Sequence, residues 1–322
     1  MTKDPYKIWL SEIILQQTRI DQGLPYYLSF IQSFPTVHDL SEAETDIVLK
    51  HWEGLGYYSR ARNLHLTAKF VAHELNGVFP KSYQDLLRLK GVGPYTAAAI
   101  ASICYGEIVP VLDGNVFRFT SRFFGIKNDI GASSSRKIFT DILDEIISHE
   151  HPGDFNQAIM EFGATVCKPQ PDCEYCCFRN DCYAYKHKLQ HQLPVKLKKV
   201  KIKERFFHYY IIESDDMYLM GQRNSGIWNG LYEFPLIETG TALPKDEVPF
   251  LEDHMKPKKK SASFKHLLTH RVLWINFYHY QTDSKHFTRL MNEFDFDAYS
   301  YEEMLTLPKP KSIVNYLQHD GF

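Results

Sequence analysis

The sequence predicts an all-α amino-terminal domain followed by an α+β carboxyl-terminal domain. No alternating pattern typical of strands is evident before residue 190. From Phe206 onward, three segments rich in aromatic and β-branched residues favour strands, namely Phe206–Ile212, Met217–Gln222 and Val272–Tyr280. Ser312–Gln318 is compatible with a closing helix. The predicted boundaries are residues 1–190 for the first domain, 191–205 for a linker and 206–322 for the second domain.

Length and composition narrow the classes of protein that fit. The chain has 322 residues and a net charge of −2, which suits two or three domains and neither favours nor excludes nucleic acid. No apolar run is long enough to span a bilayer, and Met1–Leu10 mixes charged and apolar residues, unlike a signal peptide. We therefore expect a cytoplasmic protein with no membrane partner, and a monomer.

The first predicted helix carries a carboxylate among apolar residues. Tyr6–Arg19 contains neither Gly nor Pro, and Glu12 lies within one turn of Trp9 and Ile13. Apolar surroundings raise a carboxyl pKa, which suits a general acid near neutral pH. A solvated Glu on a helix face is the alternative reading.

Four further segments lack strand patterning and are predicted to be helices. They are Leu64–Leu75, Ser82–Leu89, a segment to His149 capped by serines 133–135, and Asn156–Val166. Between them, His51–Asn63 combines two glycines, two tyrosines and two arginines. Aromatic rings beside arginines suit base stacking and phosphate pairing, and a packed corner between helices is the alternative.

The central motif runs from Leu89 to Asn115. Gly91 and Gly93 form a tight turn, and Pro94 suits the first position of a helix that Gly106 would end. Such a turn directs backbone N–H groups outward and makes an anion site fit for a DNA phosphate. Asp113 follows, so a phosphate clamp and a carboxylate stand at fixed spacing. A plain helix, a loop and a surface aspartate are the alternative.

Five of the six cysteines lie between residues 167 and 182. Four thiolates in one compact loop suit zinc or an iron–sulfur cluster, and a single loop closing on itself favours the cluster; the four are Cys167, Cys173, Cys176 and Cys182. Cys177 is a spare, and Cys104 is interpreted as a small core residue.

Two basic segments follow the cysteines. Pro194–Arg205 is interpreted as a basic linker, either solvated or facing DNA phosphates. Lys256–Lys260 is expected to form an exposed loop.

Together these motifs resemble the helix-hairpin-helix DNA glycosylases of the endonuclease III superfamily. The L-K-G-V-G-P-Y-T-A hairpin, the aspartate after it and the cysteine loop carry that resemblance. Within the superfamily, W-L-S-E-I-I-L-Q-Q-T, G-L-G-Y-Y-S-R-A-R-N-L and V-L-D-G-N-V-F-R are similar to the MutY-type adenine DNA glycosylases. W-N-G-L-Y-E-F-P at 228–235 resembles their Nudix-like domain.

The resemblance implies removal of adenine from double-stranded DNA carrying A:8-oxoguanine or A:G mispairs, with a [4Fe-4S] cluster on the four cysteines. It implies that Glu12 protonates adenine and that Asp113 stabilises the cationic sugar, supported by Tyr95 and Asn115. An acid and an anion are the pair that glycosidases use. It also implies that Gln17 and Tyr57 enter the duplex. The adenine must leave the base stack to reach the site.

Tyr95 bears on the reaction type. Bifunctional members of the superfamily carry a lysine at this position, which forms a Schiff base and cleaves the strand. A phenol cannot do so, and we therefore expect a monofunctional hydrolase that leaves an abasic site.

In the second domain, Leu268-Thr269-His270 corresponds to a loop that reads 8-oxoguanine in the family, with Thr269 and His270 as DNA-binding residues. The phenylalanine usual there is replaced by Leu268. No R-E-x-x-E-E string follows Trp228, so we expect no nucleotide hydrolysis by this domain.

Two departures from the family pattern leave alternatives open. The gap between Cys167 and Cys173 is one residue shorter than usual, and the resemblance implies a helix before Asp4 that lines the adenine pocket, whereas this sequence begins three residues before Asp4. The alternatives are an endonuclease III-like glycosylase and lyase, or a module that binds lesions without chemistry.

Overall fold

The computed structural model describes residues 2–197, 202–240, 255–268 and 271–319. The chain forms two compact units. Unit 1 comprises Met1–Glu42 and Asn63–Lys199, and unit 2 comprises Ala43–Arg62 and Val200–Phe322. Residues 43–62 group with unit 2 although they lie inside the predicted first domain, and the predicted linker 191–205 is divided between the two units.

The part of unit 1 that the structure describes is helical and contains no strand, as predicted. Its helices are α1 (Pro5–Leu15), α2 (Ile20–Ser33), α3 (Val37–Glu42), most of α5 (Ser59–Glu74), α6 (Tyr83–Leu86), α7 (Pro94–Tyr105), α8 (Gly114–Phe124), α9 (Ser133–Ile146), α10 (Pro152–Thr165) and α11 (Tyr183–Lys186), while α4 (Thr45–His51) belongs to unit 2. No helix in the described ranges is both long and apolar enough to cross a bilayer.

Helix α1 is shorter than its predicted range. Asp4 caps it by accepting a hydrogen bond from the Tyr6 N–H at 3.0 Å. The helix ends at Leu15 rather than Arg19, because Gln16 has ψ 115° and Gln17 has φ 55°. Gln16 and Gln17, inside the predicted range, therefore lie outside the helix.

The glycine turn before α7 has the predicted geometry. Gly91 has φ 81°, and a Cβ atom there would lie 2.8 Å from Cβ of Asn63, so only glycine fits. Gly93 is the extended N-cap, Pro94 is the first helical residue, and Gly106 ends α7 in the left-handed conformation. The conformations of the turn and of both ends of α7 thus follow from the glycines and the proline in the sequence.

Helix α7 is the buried centre of unit 1. Its residues from Thr96 to Ile103 are all buried, and it packs against α1, α6 and α10. A Cβ atom on Gly153, in the first turn of α10, would lie 2.8 Å from Cα of Ile103. The small residues of both helices therefore permit a close backbone approach.

The predicted capping of α9 is wrong. The helix begins at Ser133 with Ala132 as its N-cap, no side chain caps it, and it ends at Ile146 rather than His149. The start of the predicted linker also packs within unit 1, since the Ile130 N–H donates to the Val195 carbonyl at 2.9 Å.

The strands of unit 2 form one sheet of order β3-β2-β1-β6-β5, with β4 beside β1 and β7 beside β2. They are β1 (Lys203–Ser214), β2 (Met217–Gln222), β3 (Tyr232–Glu233), β4 (Leu236–Thr239), β5 (Lys256–Leu268), β6 (Arg271–Gln281) and β7 (Asp297–Ser300), accompanied by α12 (Ser284–Phe294), α13 (Tyr301–Thr306) and α14 (Lys311–His319). β1 and β6 run parallel, with Phe207 opposite Ile275. Aromatic and aliphatic side chains from both faces form two buried clusters.

The prediction of an exposed loop at Lys256–Lys260 is wrong. This segment is the start of β5, where Lys256 pairs with Gln281 of β6. Lys258 lies 2.6 Å from the buried carboxylate of Glu213. Pairing with a long neighbouring strand and one ion pair therefore outweigh the low strand propensity of lysine and proline.

Residues 43–62 are tied to the rest of unit 2 by polar contacts. Tyr232 donates to Asp46 at 3.0 Å, and Arg62 donates to the Asn229 carbonyl at 2.5 Å. The Lys309 N–H donates to Glu53 at 3.0 Å. These hydrogen bonds explain why the segment groups with a domain that is remote in sequence.

Candidate active site

Glu12 and Tyr95 form the first half of the site. Glu12 lies on α1 and shares a hydrogen bond with the phenol of Tyr95, which follows the first residue of α7. Burial raises the pKa of Glu12, the nearby charge of Asp113 raises it further, and the Tyr95 hydrogen bond opposes both. Burial and the two carboxylates also raise the pKa of Tyr95. Three of the predicted catalytic residues therefore share one site.

Tyr95 has a further contact that the sequence did not indicate. Its hydroxyl lies 3.3 Å from Sδ of Met160, on α10. A thioether sulfur is a weak hydrogen-bond acceptor. The phenol thus lies between a carboxyl group and a sulfur atom.

Asp113 forms the second half of the site as the N-cap of α8. Its carboxylate accepts hydrogen bonds from the Asn115 N–H at 2.9 Å, the Asn115 amide Nδ2 at 2.8 Å and the Val116 N–H at 2.7 Å. Donors at a helix N-terminus suit an anionic carboxylate. The predicted partnership of Asp113 and Asn115 therefore has a direct geometric basis.

Arg118 extends this arrangement away from Asp113. It donates to Oδ1 of Asn115 at 2.8 Å, to the Gly163 carbonyl at 2.6 Å and to the Cys167 carbonyl at 2.7 Å. Asn115 is thereby held from both ends of its amide. The network connects Asp113 to the first residue of the cysteine loop.

Asn156 fixes the segment that leads into Asp113. This fully buried side chain accepts from the Val111 N–H at 3.0 Å and donates to the Val109 carbonyl and the Ser102 hydroxyl, both at 2.9 Å. All its bonds go to groups of α7 and of the 107–112 segment. Sequence reasoning missed Asn156, and the available signal was an amide on the apolar side of a predicted helix.

Gly163 allows α10 to approach α8. A Cβ atom there would lie 2.8 Å from both Cβ and the carbonyl oxygen of Asn115. Real Cβ atoms do not come so close, so a larger residue would displace Asn115. Gly163 is a second residue that the sequence analysis missed.

Three of the predicted DNA-binding residues that the structure describes are exposed at the surface, namely Gln17, Tyr57 and Gly91. Gln17 is exposed and has a left-handed backbone, as does Tyr57, whose side chain is 45% exposed. Such conformations are costly for residues other than glycine and are typical of functional sites. Gly91 is also exposed, and the space beside Gly93 is open. Tyr57 belongs to unit 2 and the other three belong to unit 1.

Arg60 supports Tyr57 from below. Its guanidinium group lies 5.6 Å from the centre of the Tyr57 ring and 5.1 Å from that of Trp52, distances suited to cation–π contacts. Burial lowers the pKa of Arg60 to about 10. The Tyr57 ring thus packs against the Arg60 guanidinium group although much of the ring is exposed.

Tyr57 also lines a pocket of unit 2 of about 460 Å³. The walls include Arg62, Trp228, Leu268 and Arg271. Thr269 and His270, the predicted lesion-reading pair, lie outside the described residues, while Leu268 before them is half-buried. The pocket combines apolar surface with cationic side chains.

The four predicted cysteine ligands line one cavity of unit 1, and Cys177 is exposed. Arg122 is buried beside them, with Nη1 3.5 Å from Sγ of Cys167, and its carbonyl lies 3.4 Å from Sγ of Cys182. Burial and neighbouring thiols raise the pKa of Cys173 and of Cys176.

In the described part of the chain, no three His, Cys, Asp or Glu side chains stand close enough together to hold a metal ion. The donor set around the cavity nonetheless fits an iron–sulfur cluster, since four cysteines from one loop surround it. The surroundings are largely aromatic, with Phe119, Phe162 and Phe178 in mutual contact.

Comparison with known proteins identifies the class of protein to which this fold and site belong. The profile of the HhH-GPD superfamily base excision DNA repair proteins matches residues 10–145, and that of the NUDIX domain matches residues 208–319. A thermostable thymine-DNA glycosylase structure is 27% identical, with a TM-score of 0.53 over 58% of this chain and 86% of that chain. The helical unit is therefore an HhH-GPD fold, as the motifs predicted.

Relatives in sequence refine this assignment. Adenine DNA glycosylase of Buchnera aphidicola subsp. Baizongia pistaciae is 35% identical over 280 residues, covering 85% of this chain and 78% of the relative. The human adenine DNA glycosylase is 42% identical over 190 residues, covering 58% of this chain and 35% of that protein. The chain belongs to the adenine DNA glycosylase family.

Proposed function

We propose that the protein hydrolyses the N-glycosidic bond of adenine mispaired with 8-oxoguanine or guanine and leaves an abasic site. One observation carries this proposal. Glu12, with a pKa raised by burial, and Asp113, held by three N–H donors, come together at Tyr95. That pair matches the chemistry, because breaking the bond places negative charge on the base and positive charge on C1′ of the sugar.

Each carboxyl group has one role in this reaction. Glu12, whose pKa is raised by burial, donates its proton to N7 of the adenine, so that the base leaves as a neutral species. The Asp113 carboxylate stabilises the oxocarbenium-like sugar as the bond breaks. Water then adds at C1′ and releases a proton, which restores the protonated form of Glu12. Tyr95 offers no amine for a Schiff base, which supports a monofunctional reaction without strand cleavage.

The surface residues serve to bind and open the duplex. Adenine has to leave the base stack to reach Glu12, which costs a few kcal/mol. Gln17 and Tyr57 are both exposed, and each is assigned to entering the duplex on the strength of the sequence motifs, while the turn at Gly91 and Gly93 holds a backbone phosphate. Arg60 packs against the Tyr57 ring and steadies it.

Unit 2 supplies recognition of the lesion. The pocket beside Tyr57 offers an aromatic wall at Trp228 and the cations Arg62 and Arg271, which suit an oxidised guanine and its phosphate. Thr269 and His270 are assigned to reading 8-oxoguanine on the strength of the sequence motif.

We propose a [4Fe-4S] cluster as the cofactor, held by Cys167, Cys173, Cys176 and Cys182. When bound, it links the four thiolates and stabilises the loop. Substituting Cys176 with serine is expected to abolish the visible absorption of the purified protein. Cys177→Ser is the matched control and should leave that absorption unchanged.

A single-turnover assay tests the main proposal, with a duplex carrying one A:8-oxoguanine pair and a matched A:T duplex. We expect adenine release from the first duplex, no strand cleavage without alkali, and no covalent capture by borohydride. Borohydride capture with cleavage at an oxidised pyrimidine would instead favour the endonuclease III-like lyase. Tight binding without release by the parent chain would favour the lesion-binding module.

Two further proposals concern the assembly state and the cellular compartment. We propose that the protein acts as a monomer in the cytoplasm. Sedimentation with and without the mispaired duplex tests the first part, with a single protein copy per duplex as the expected result.

A further inference from the structure

The Tyr95 hydroxyl has one proton and two neighbouring acceptors. The carboxyl group of Glu12 shares a hydrogen bond with it, and Sδ of Met160 lies 3.3 Å away. A phenol donates one hydrogen bond at a time and accepts through its oxygen. The direction of its O–H bond therefore depends on whether Glu12 carries a proton.

We infer that Met160 is a positioning residue, whose sulfur receives the Tyr95 hydroxyl and leaves the phenol oxygen free to accept a hydrogen bond from protonated Glu12. The inference rests on the proposed function, since it concerns the acid of that reaction. It assigns to Met160 a role that no motif of the sequence indicated.

The Tyr95 hydroxyl bonds differently in the two protonation states of Glu12. When Glu12 is ionised, Tyr95 donates to the carboxylate, and that hydrogen bond stabilises the charged form. When Glu12 is protonated, the same phenol has to turn, and Met160 offers the acceptor that keeps its proton bonded. Asp113 is the charged group that faces both Glu12 and Tyr95 in the described structure.

The position of Met160 suits this task. It lies on α10 and is half-buried, and α10 packs against both α7 and α8. The unbranched side chain of methionine brings its polarizable sulfur to the phenol. A branched side chain of equal size would contact the phenol only through methyl groups. A sulfur acceptor is weak, so the expected effect is modest.

Met160→Leu is the primary variant, because it keeps the volume and removes the acceptor, and Met160→Gln restores an acceptor. For each, the single-turnover rate of adenine release is measured across pH. We expect Met160→Leu to move the alkaline limb to lower pH, with a loss of about threefold to tenfold on that limb and little loss at the acid end. Met160→Gln should return the limb towards the parent position.

A uniform rate loss with an unmoved limb would overturn the inference and assign Met160 a packing role. A second readout does not depend on activity, namely ¹³C NMR titration of the Glu12 carboxyl in the full chain, where Met160→Leu should titrate at lower pH than the parent. Equal titration would also overturn it. In a Tyr95→Phe background, both shifts should vanish.

These results separate two failures. A parent chain that releases no adenine contradicts the proposed function whatever Met160 does. An active parent with no shift in Met160→Leu contradicts the role of Met160 alone.

Discussion

Two carboxyl groups in unit 1 occupy opposite environments. Glu12 is half-buried on α1 and has the phenol of Tyr95 as its hydrogen-bond partner. Asp113 caps a helix and receives three N–H donors between 2.7 and 2.9 Å. One group has its charged form disfavoured, whereas the other is surrounded by partial positive charge.

The difference shows how one fold assigns an acid and an anion from two side chains of the same chemistry. Desolvation keeps a proton on one carboxyl group, and backbone donors with a helix dipole suit charge on the other. The surroundings of the carboxyl groups, rather than the groups themselves, set the two roles. Substitutions that change one environment at a time therefore test this difference.

Glu12→Gln should have the largest effect. The amide keeps the shape of the side chain and cannot donate an acidic proton, so the single-turnover rate of adenine release should fall by about 10²–10⁴-fold. Glu161→Gln removes an exposed carboxylate on α10 and serves as the control. A variant that retains a tenth or more of the parental rate would contradict the role of Glu12 as the acid.

Asp113→Asn should have the next largest effect and should act on the charge alone. Asparagine caps helices about as well as aspartate, so the melting temperature should stay close to that of the parent. The excision rate should fall by about 10²–10³-fold, because the anion opposite the cationic sugar is gone.

Asp113→Ala is the matched variant that removes both charge and cap. It should lose about 1 kcal/mol of stability in addition to activity. If Asp113→Asn melts as early as Asp113→Ala, then the aspartate serves α8 and not the reaction. If it keeps parental activity, the proposed electrostatic role is wrong.

Gly163→Ala should have a smaller effect on rate and a measurable effect on stability. The added Cβ meets Cβ and the carbonyl oxygen of Asn115 at 2.8 Å, which we expect to cost about 1–3 kcal/mol. Because Asn115 donates to Asp113, the excision rate should also fall, by about tenfold. Ala164→Ser, an exposed neighbour on α10, controls for the helix. Loss of stability with an unchanged rate would show that Asn115 is not positioned by this contact.

Local motifs account for the parts of this site that were predicted. The turn at Gly91 and Gly93, the proline after it and the left-handed end at Gly106 each follow from the conformations that these residues allow. The burial of Glu12 follows from the apolar residues one turn away. These features depend on neighbours in sequence, which is why the sequence displayed them.

The supporting residues were missed because their partners are distant in sequence. Asn156 bonds Val111 across 45 residues, Arg118 bonds the Cys167 carbonyl across 49, and Tyr95 bonds Met160 across 65. No local pattern marks a buried amide or an arginine for such a task. Only the packing of α10 on α7 and α8 brings these groups together.

In two segments, tertiary contacts override the structure that the local sequence favours. Lys256–Lys260 has the composition of a loop and forms part of β5, because Lys256, Pro257 and Lys259 pair with β6. Residues 43–62 stand between helices of unit 1 in sequence but group with unit 2, held by bonds such as Tyr232 to Asp46. Strand pairing and unit membership are long-range properties, so composition alone predicts them poorly.

The smallest expected effect concerns how protein stability changes with pH when Glu12 is substituted. The pKa of Glu12 is raised in the folded state, so the unfolded chain ionises first as pH increases. The stabilising contribution of the protonated group is complete below the ordinary carboxyl pKa of about 4.3 and is lost as pH rises towards the raised value. Glu12→Gln should therefore melt near the parent temperature in acid and above it at neutral pH. Glu161→Gln should show no such divergence, and parallel curves for Glu12→Gln would mean that burial does not disfavour the Glu12 charge.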